Sequence, residues 1–313
     1  MCTSVALNVG GFYFGRNMDL EGSFGECVVT APRRFVFEYR RMPADASHYA
    51  MIGTAAVISG YPLFADAMNE KGLCMAGLNF PGNAVYRETP STDKANVTPF
   101  ELIPWVLGRC ATVEEAQALL EKTDLVAIPF SENVPLTPLH WHIADKNQSL
   151  VVEPMADGVR LYKNPVGVLT NNPPLPYHLA NLPRYAHLGT GTPEDAWTAE
   201  AGAVSMGLCG VGLPGDYSSA SRFVRAAFLK RNLIAEGAEN ESVASVFQLL
   251  GAVAPTKGSV LTPEGKPHYT TYTCCMDSEQ RTYYCRRFPD LLVRKMILDE
   301  ANAAEKHLLL QKN

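Results

Sequence analysis

The chain has 313 residues, of which 47% are hydrophobic and 19% are charged, and its formal net charge is −5. This balance supports a large buried core, and the scattered Lys and Arg residues argue against nucleic acid as a partner. No apolar run approaches the ~18 residues of a membrane span, and no basic targeting segment opens the chain. We therefore expect a cytoplasmic protein that makes no membrane contact.

Eight cysteines are spread along the chain, without a CxxC pair or a short Cys/His cluster. This pattern argues against a zinc site and against the disulfide framework of a small secreted protein, so we expect no metal. Most of the cysteines lie in apolar runs, which is typical of small core residues. Cys2 needs a separate explanation.

The first part of the chain is rich in strand signals, and Gly10-Gly11 separates two apolar runs in the manner of a β-hairpin. The predicted strands are 4–9, 12–16, 27–30, 34–39, 51–59 and 73–78. Two helices follow, one over 99–110 and one that begins at Thr112 and runs to Lys122. Thr112 and Glu115 form the capping-box pattern that marks a helix start.

Strand signals return in the second part of the chain, at 139–145, 150–153, 159–162 and 166–169. Helices are predicted at 177–182, 219–232 and 242–252, followed by strands at 269–275 and 282–287 and a frayed C-terminus. Blocks of strands alternate with blocks of helices, which favours an α+β fold over a doubly wound parallel sheet. No clean boundary divides the chain, so we predict a single domain over 1–313.

Cys2 has the features of a chemical site if Met1 is removed, as is usual when the second residue is small. The new α-amine and the thiol have ordinary pKa values near ~7.7–8.0 and ~8.5, so one residue supplies both nucleophile and base. The return strand of the hairpin brings Arg16 and Asp19 back beside Cys2. Arg16 would lower the pKa of the thiol, and Asp19 would hold the ammonium group. A surface Arg–Asp pair is the alternative.

Short motifs along two thirds of the chain resemble, in order, those of the choloylglycine hydrolase family. They lie at 1–3, 15–19, 69–73, 77–81, 139–141, 168–171, 212–216 and 221–223. This family contains bile salt hydrolases and penicillin V acylases, which are N-terminal-nucleophile amidases. The resemblance implies a four-layer αββα sandwich.

The resemblance also implies catalytic roles for six residues. They are Cys2 as nucleophile, Arg16 and Asp19 as its supports, the backbone of Asn79 and the side chain of Asn171 as oxyanion donors, and Arg222. No metal or organic cofactor is needed for such chemistry. Taken alone, Asn171 is typical of a turn and Arg222 of a helix surface.

The resemblance narrows the substrate to an acyl amide. Asn79 stands where penicillin V acylases often carry Tyr, which favours conjugated bile salts, while penicillin V and other N-acyl compounds stay open. By analogy an apolar acyl pocket is lined by Met18, Ile58, Ala65, Phe130, Val134 and Leu139, each of which is also compatible with plain core.

Two rival functions are a non-catalytic binding relative and a thiol hydrolase that uses an internal Cys/His pair. The complete set of implied catalytic residues argues against the first, and the second predicts that changing Cys2 has no effect. The long stretch 189–210 is interpreted as an assembly arm, and we expect a homotetramer.

Overall fold

The computed structural model describes residues 1–192, 205–235 and 238–311, and two antiparallel sheets dominate this part of the chain. The first sheet contains, in spatial order, β12 (Val168–Leu169), β1 (Cys2–Asn8), β2 (Phe12–Leu20), β13 (Tyr269–Asp277), β14 (Thr282–Arg287) and β15 (Arg294–Ile297). The second contains β11 (Gly158–Lys163), β10 (Ser149–Met155), β9 (Leu139–Ala144), β6 (Cys74–Asn79), β5 (Tyr61–Asn69), β4 (Met51–Ile58), β3 (Glu26–Ala31) and β16 (Leu309–Gln311). The short strands β7 (Ala95–Val97) and β8 (Thr123–Leu125) pair in parallel apart from both sheets.

Helices cover the outer faces of the sheets. They are α1 (Leu102–Leu107), α2 (Val113–Leu120), α3 (Leu175–Asn181), α4 (Ser219–Asn232), α5 (Glu239–Gly251) and α6 (Glu300–Ala304). Short 3-10 turns lie at Pro99–Glu101, Leu182–Tyr185 and Leu208–Gly210.

The two sheets face each other across a buried layer that also contains polar contacts. Ser4 in β1 bonds to His142 in β9 (2.8 Å), and Thr54 in β4 bonds to Tyr283 in β14 (2.6 Å). Helix α5 lies so close to β2 that a Cβ atom on Gly15 would be 2.6 Å from a Val246 methyl group. On the other side, α1 and α2 pack on the second sheet around Trp105, Val113 and Trp141. Helix α5 thus covers the first sheet, and α1 and α2 cover the second. The order of layers is therefore αββα, which confirms the predicted sandwich.

The predicted strand at 34–39 is wrong. Only an isolated bridge between Phe37 and Asp45 forms there, and the Phe37 ring packs against the rings of Tyr39 and His48 and against Tyr61 of β5. Phe37 and Tyr39 are buried in a loop over the sheet, whereas Val36 is 47% exposed. An alternating pattern alone does not distinguish such a loop from a strand.

The sequence reasoning missed β5, although it is one of the longest strands. Pro62 and Asp66 lower its strand propensity, but Ser59 and Gly60 have positive φ angles of 51° and 78°, the conformation of a two-residue hairpin turn. The Ser-Gly pair between β4 and β5 was therefore the available signal.

The C-terminal region is regular rather than frayed as far as Gln311. β15 extends the first sheet, and β16 pairs with β3 through Leu309 and Thr30. Of the predicted arm at 189–210, residues 193–204 lie outside the described residues. Its two ends meet, because the Gly189 N–H donates to the Cys209 carbonyl oxygen at 2.9 Å.

Candidate active site

Cys2 is the first residue of β1, and the hairpin brings the end of β2 beside it. Gly10 has a φ of 66°, a left-handed conformation that glycine accepts without strain, and this turn sets the register of the two strands. Cys2 is opposite Met18, and Arg16 Nη2 lies 3.2 Å from Cys2 Sγ. A local turn therefore brings the guanidinium to the thiol.

The Arg16 guanidinium is fully buried and has several fixed partners. Nη1 donates to the Asp66 carboxylate (3.1 Å) and to the Ala65 carbonyl oxygen (3.0 Å), and Nη2 donates to the Gly77 carbonyl oxygen (2.8 Å). A planar guanidinium that donates from both terminal nitrogens, Nη1 and Nη2, keeps one orientation. It is this orientation that directs Nη2 at the Cys2 sulfur.

Asp66 anchors Arg16 from the side opposite the thiol. Its carboxylate is buried and accepts hydrogen bonds from the hydroxyls of Tyr272 and Tyr283, each at 2.6 Å. The Tyr272 hydroxyl also lies 3.2 Å from Arg16 Nη1. A buried ion pair is tolerated when hydrogen bonds satisfy its remaining lone pairs, as these do.

The electrostatic surroundings activate the Cys2 thiol. Burial by itself raises the pKa of this thiol, but Arg16, the N-terminal ammonium and a hydrogen bond from the Asn79 backbone N–H together outweigh burial and the opposing charge of Asp19. The net effect is a pKa below the ordinary thiol value, which increases the thiolate fraction. Burial instead raises the thiol pKa at Cys74, Cys110, Cys274, Cys275 and Cys285.

Asn171 connects the residues around the thiol. Its Oδ1 accepts hydrogen bonds from the Cys2 backbone N–H (2.9 Å) and from Arg222 Nη2 (2.7 Å), and its Nδ2 donates to the Asn79 carbonyl oxygen (2.7 Å). Arg222 is fully buried and also donates from Nη1 to the Cys2 carbonyl oxygen and to Thr3 Oγ1. The side-chain amide of Asn171 therefore lies between β1, β6 and α4 with a fixed direction.

Asp19 is buried next to the N-terminus. Its Oδ1 accepts a hydrogen bond from Thr270 Oγ1 (2.6 Å), whereas its buried Oδ2 has no hydrogen-bond partner among the described residues. The Met1 ammonium lies 3.1 Å from the Asp19 backbone oxygen and 3.1 Å from His268 Nε2. Burial raises the pKa of the Asp19 carboxyl, against the opposing effects of Arg222, the N-terminal ammonium and the Thr270 hydrogen bond.

A cavity of about 550 Å³ opens at the thiol, and its walls are mostly apolar. All six residues predicted for the acyl pocket line it: Met18, Ile58, Ala65, Phe130, Val134 and Leu139. Further apolar side chains that the sequence analysis did not select complete the wall: Leu20, Phe24, Leu63, Phe64, Phe100 and Leu136. Cys2, Arg16 and Asn79 lie at its inner end.

Asp66, Tyr272, Thr270 and His268 were missed because nothing in their local sequence links them to Cys2. Only the pairing of β2 with β13 and the stacking of the two sheets bring them together. One signal was present, since Asp66 is a carboxylate inside the apolar run of β5, and buried carboxylates need a charged partner.

His140 and His142 lie on one face of β9 and are buried within protein contacts. His140 Nε2 is 3.0 Å from the Thr170 carbonyl oxygen, and His142 lies between the hydroxyls of Ser4 and Ser149. In the described ranges, no group of three or more His, Cys, Asp or Glu residues could hold a metal ion. The same ranges contain no helix long and apolar enough to cross a bilayer.

An αββα sandwich whose first strand begins with a cysteine defines the class of N-terminal-nucleophile hydrolases. The chain belongs to the choloylglycine hydrolase family of linear amide C–N hydrolases, whose family model matches residues 2–309. It is 44% identical over 311 residues to the bile salt hydrolase/transferase of Lactiplantibacillus plantarum, covering 99% of this chain and 96% of that protein. It is 37% identical to the bile salt hydrolase/transferase of Clostridium perfringens, covering 96% and 94% of the two chains.

Solved structures agree with this assignment. A mutant of the conjugated bile acid hydrolase from Clostridium perfringens superposes with a TM-score of 0.92 at 35% identity, over 100% of this chain and 97% of that chain. Penicillin V acylase from Agrobacterium tumefaciens gives a TM-score of 0.76 at 20% identity, over 98% and 90% of the two chains. The second likeness concerns the fold alone.

Proposed function

We propose that this chain is a bile salt hydrolase, which cleaves the amide bond between a bile acid and glycine or taurine. The observation that carries the proposal is the Cys2 thiol, with its lowered pKa, at the inner end of an apolar cavity of about 550 Å³. The names of the similar proteins, which refer to bile salts or conjugated bile acids, support the same substrate class.

Removal of Met1 is the first requirement of the mechanism, because it converts the Cys2 nitrogen from an amide into an α-amine. The Cys2 thiolate then attacks the amide carbonyl carbon and forms a tetrahedral oxyanion. The α-ammonium transfers a proton to the departing nitrogen, the C–N bond breaks, and a thioester remains. Water, deprotonated by the same amine, hydrolyses the thioester and releases the bile acid.

The surrounding residues have distinct roles in this proposal. Arg16 stabilises the thiolate, and the Asn79 backbone N–H and the Asn171 side-chain N–H stabilise the oxyanion. Arg222 keeps Asn171 in place through its 2.7 Å hydrogen bond. The unpaired Oδ2 of Asp19 is the natural partner for the additional protons that the nitrogen gains when Met1 leaves.

The cavity suits a rigid apolar acyl group. Burial of a steroid against side chains such as Ile58, Phe130 and Leu139 provides affinity through the hydrophobic effect, while the few polar groups at Cys2 orient the amide. Because the apolar walls do not define one steroid uniquely, cleavage of penicillin V or another N-acyl compound is the alternative activity.

Transfer of the acyl group to an amine is a second candidate activity. A thioester at Cys2 reacts with an amine as well as with water, and two of the similar proteins are named hydrolase/transferase. The transfer reaction would use the same residues in the same order, with the incoming amine in the place of water.

A cytoplasmic location, a single domain and a homotetrameric assembly belong to the same proposal. They rest on the sequence arguments given above and on the family. Multi-angle light scattering of the purified protein tests the assembly, and a monomer at micromolar concentration would refute the tetramer.

The deciding experiment measures release of taurine, glycine or phenoxyacetic acid from taurocholate, glycocholate and penicillin V. We expect the wild-type chain to cleave the bile salts and Cys2→Ala to be inactive. The matched control is Cys110→Ala, which should keep its activity because Cys110 is a buried cysteine whose thiol pKa is raised. Intact mass should show that the active chain lacks Met1. Cleavage of penicillin V alone would assign the acylase activity instead, and an active chain that retains Met1 would exclude the α-amine mechanism.

A further inference from the structure

The surroundings of Met1 indicate where the amine part of the substrate binds. Met1 is joined to the Cys2 nitrogen, the atom that protonates the leaving nitrogen in the mechanism above. A proton donor must lie within about 2.6–3.2 Å of the atom it serves. The leaving nitrogen therefore occupies the volume that Met1 fills before it is removed.

This volume is separate from the acyl cavity. The apolar walls of that cavity include Met18 and Leu139 but neither Met1 nor His268. The scissile carbonyl lies between the two regions, because its oxyanion donors come from Asn79 and Asn171. The acyl group consequently extends into the cavity, and the substituent on the nitrogen extends towards His268.

His268 is placed to contact that substituent. Its Nε2 is 3.1 Å from the Met1 nitrogen. That nitrogen lies one residue along the backbone from the Cys2 nitrogen. Its backbone N–H donates to the Val260 carbonyl oxygen at 2.9 Å, which ties it to the segment 257–268. Lys257, Glu264 and Lys266 lie on the same segment, and Lys266 pairs with Glu21 at 3.8 Å. The segment therefore supplies no strong net charge, and recognition of the substituent depends on His268 itself.

With Met1 in place, burial, the N-terminal ammonium and Arg222 lower the pKa of His268 to about 4, so its imidazole is neutral at pH 7. Burial, the largest of these causes, does not depend on the Met1 ammonium. A neutral imidazole has one N–H donor. Its Nδ1 is buried and has no partner within the described ranges. A proton on Nδ1 would be a buried donor without a partner, which is costly. The tautomer with its proton on Nε2, which faces the substrate, is therefore favoured when an acceptor is bound there.

We propose that His268 is a specificity-determining residue that donates from Nε2 to the acid group of the leaving amine. The ligand class is an amine that carries a carboxylate or a sulfonate a short distance from its nitrogen. The inference rests on the proposed function, and it adds a subsite to the amine side of the reaction.

The test compares amides of one bile acid with three amines: glycine, taurine and the neutral ethylamine. The processed full-length enzyme is used as wild type, His268→Leu and His268→Gln. We expect His268→Leu to raise KM for the two acidic amides by roughly ten- to hundredfold, the value of a hydrogen bond to a charged group, while kcat changes little. KM for the ethylamide should stay constant, and His268→Gln, which retains an N–H donor, should recover most of the loss.

Lys266→Gln is the matched control, because it removes a nearby positive charge without touching the Met1 volume. An equal change of KM for acidic and neutral amides in His268→Leu, or an effect of Lys266→Gln as large as that of His268→Leu, would overturn the proposal. So would an unchanged KM in His268→Leu. If the wild type cleaves none of the amides, the proposed function fails first and the subsite fails with it. If His268→Leu does not fold, His268→Ala replaces it as the variant without a donor, and the same three outcomes would overturn the proposal.

Discussion

The Arg16 guanidinium has two sides, and the ionisable groups on them behave in opposite ways. On one side the Cys2 thiol faces the cavity, and its pKa is lowered although burial opposes ionisation. On the other side burial raises the pKa of both Tyr272 and Cys274, which share their site with the Asp66 carboxylate. The comparison shows that one buried cation lowers the pKa of the thiol that its Nη2 faces, with the help of a further N–H donor, but does not offset burial beside the Asp66 carboxylate.

The two sides also have different tasks. The side of Asp66 is closed, and its hydrogen bonds among Arg16, Tyr272 and Tyr283 hold the cation in place. The side of Cys2 is open to the cavity, so the thiol is available to a substrate. Rigid support behind a reactive group is the usual arrangement when a site must be preorganised.

Removing the cation should have the largest effect, because it damages both sides at once. Arg16→Met leaves the Asp66 carboxylate buried without its partner, so we expect a loss of about 3–5 kcal/mol in the free energy of unfolding. Activity should fall by more than ~10²-fold because the thiolate loses its cation. Urea denaturation and the taurocholate assay measure the two losses.

The double variant Arg16→Met/Asp66→Leu separates these effects. It removes the unpaired carboxylate, so stability should recover in part while activity stays low. Activity close to wild type in either variant would contradict the role assigned to Arg16.

Changing a donor on the open side alone should affect catalysis more than stability. Asn171→Ala should lower kcat by about 10²–10³-fold, the usual effect of losing one oxyanion donor. Asn232→Ala, at the far end of α4, is the matched control, since its side chain bonds to the Phe228 carbonyl oxygen within its own helix. Steady-state kinetics on glycocholate provide the measurement, and a kcat for Asn171→Ala within threefold of the control would exclude the donor role.

The smallest effect concerns the pH dependence of the thiol. A thiol reacts with iodoacetamide as the thiolate, so the alkylation rate of Cys2 should fall as the pH drops through its pKa. The midpoint should lie below the ~8.5 of an ordinary thiol. Mass spectrometry of the N-terminal peptide at a series of pH values measures this rate.

Asp66→Asn sharpens the comparison because it alters only the closed side. If Asp66 acts by positioning Arg16, the loss of that anchor should raise the midpoint. If Asp66 acted only through its negative charge, removing it would lower the midpoint instead. A lower midpoint in Asp66→Asn would therefore contradict the positioning role.

Local sequence was sufficient for the part of the site that depends on one hairpin. Gly10-Gly11 predicts the turn, the turn sets the register, and the register places Arg16 near Cys2 on the neighbouring strand. The second sheet then orients the guanidinium through Asp66 and Gly77. The α+β class and the acyl-pocket residues could also be predicted, the former from the blocks of strands and helices and the latter from the family resemblance. The same reasoning failed at 34–39, where Phe37 and Tyr39 are buried in a loop.

What the sequence alone determined is the reactive residue and its immediate neighbours, because short-range turn chemistry and strand alternation act within about twenty residues. Only the tertiary structure decided that Asp66 and Tyr272 hold Arg16 and that His268 lies beside the N-terminus. Those contacts join distant segments through sheet pairing and sheet stacking. Their geometry depends on how two whole sheets pack, which no local pattern encodes.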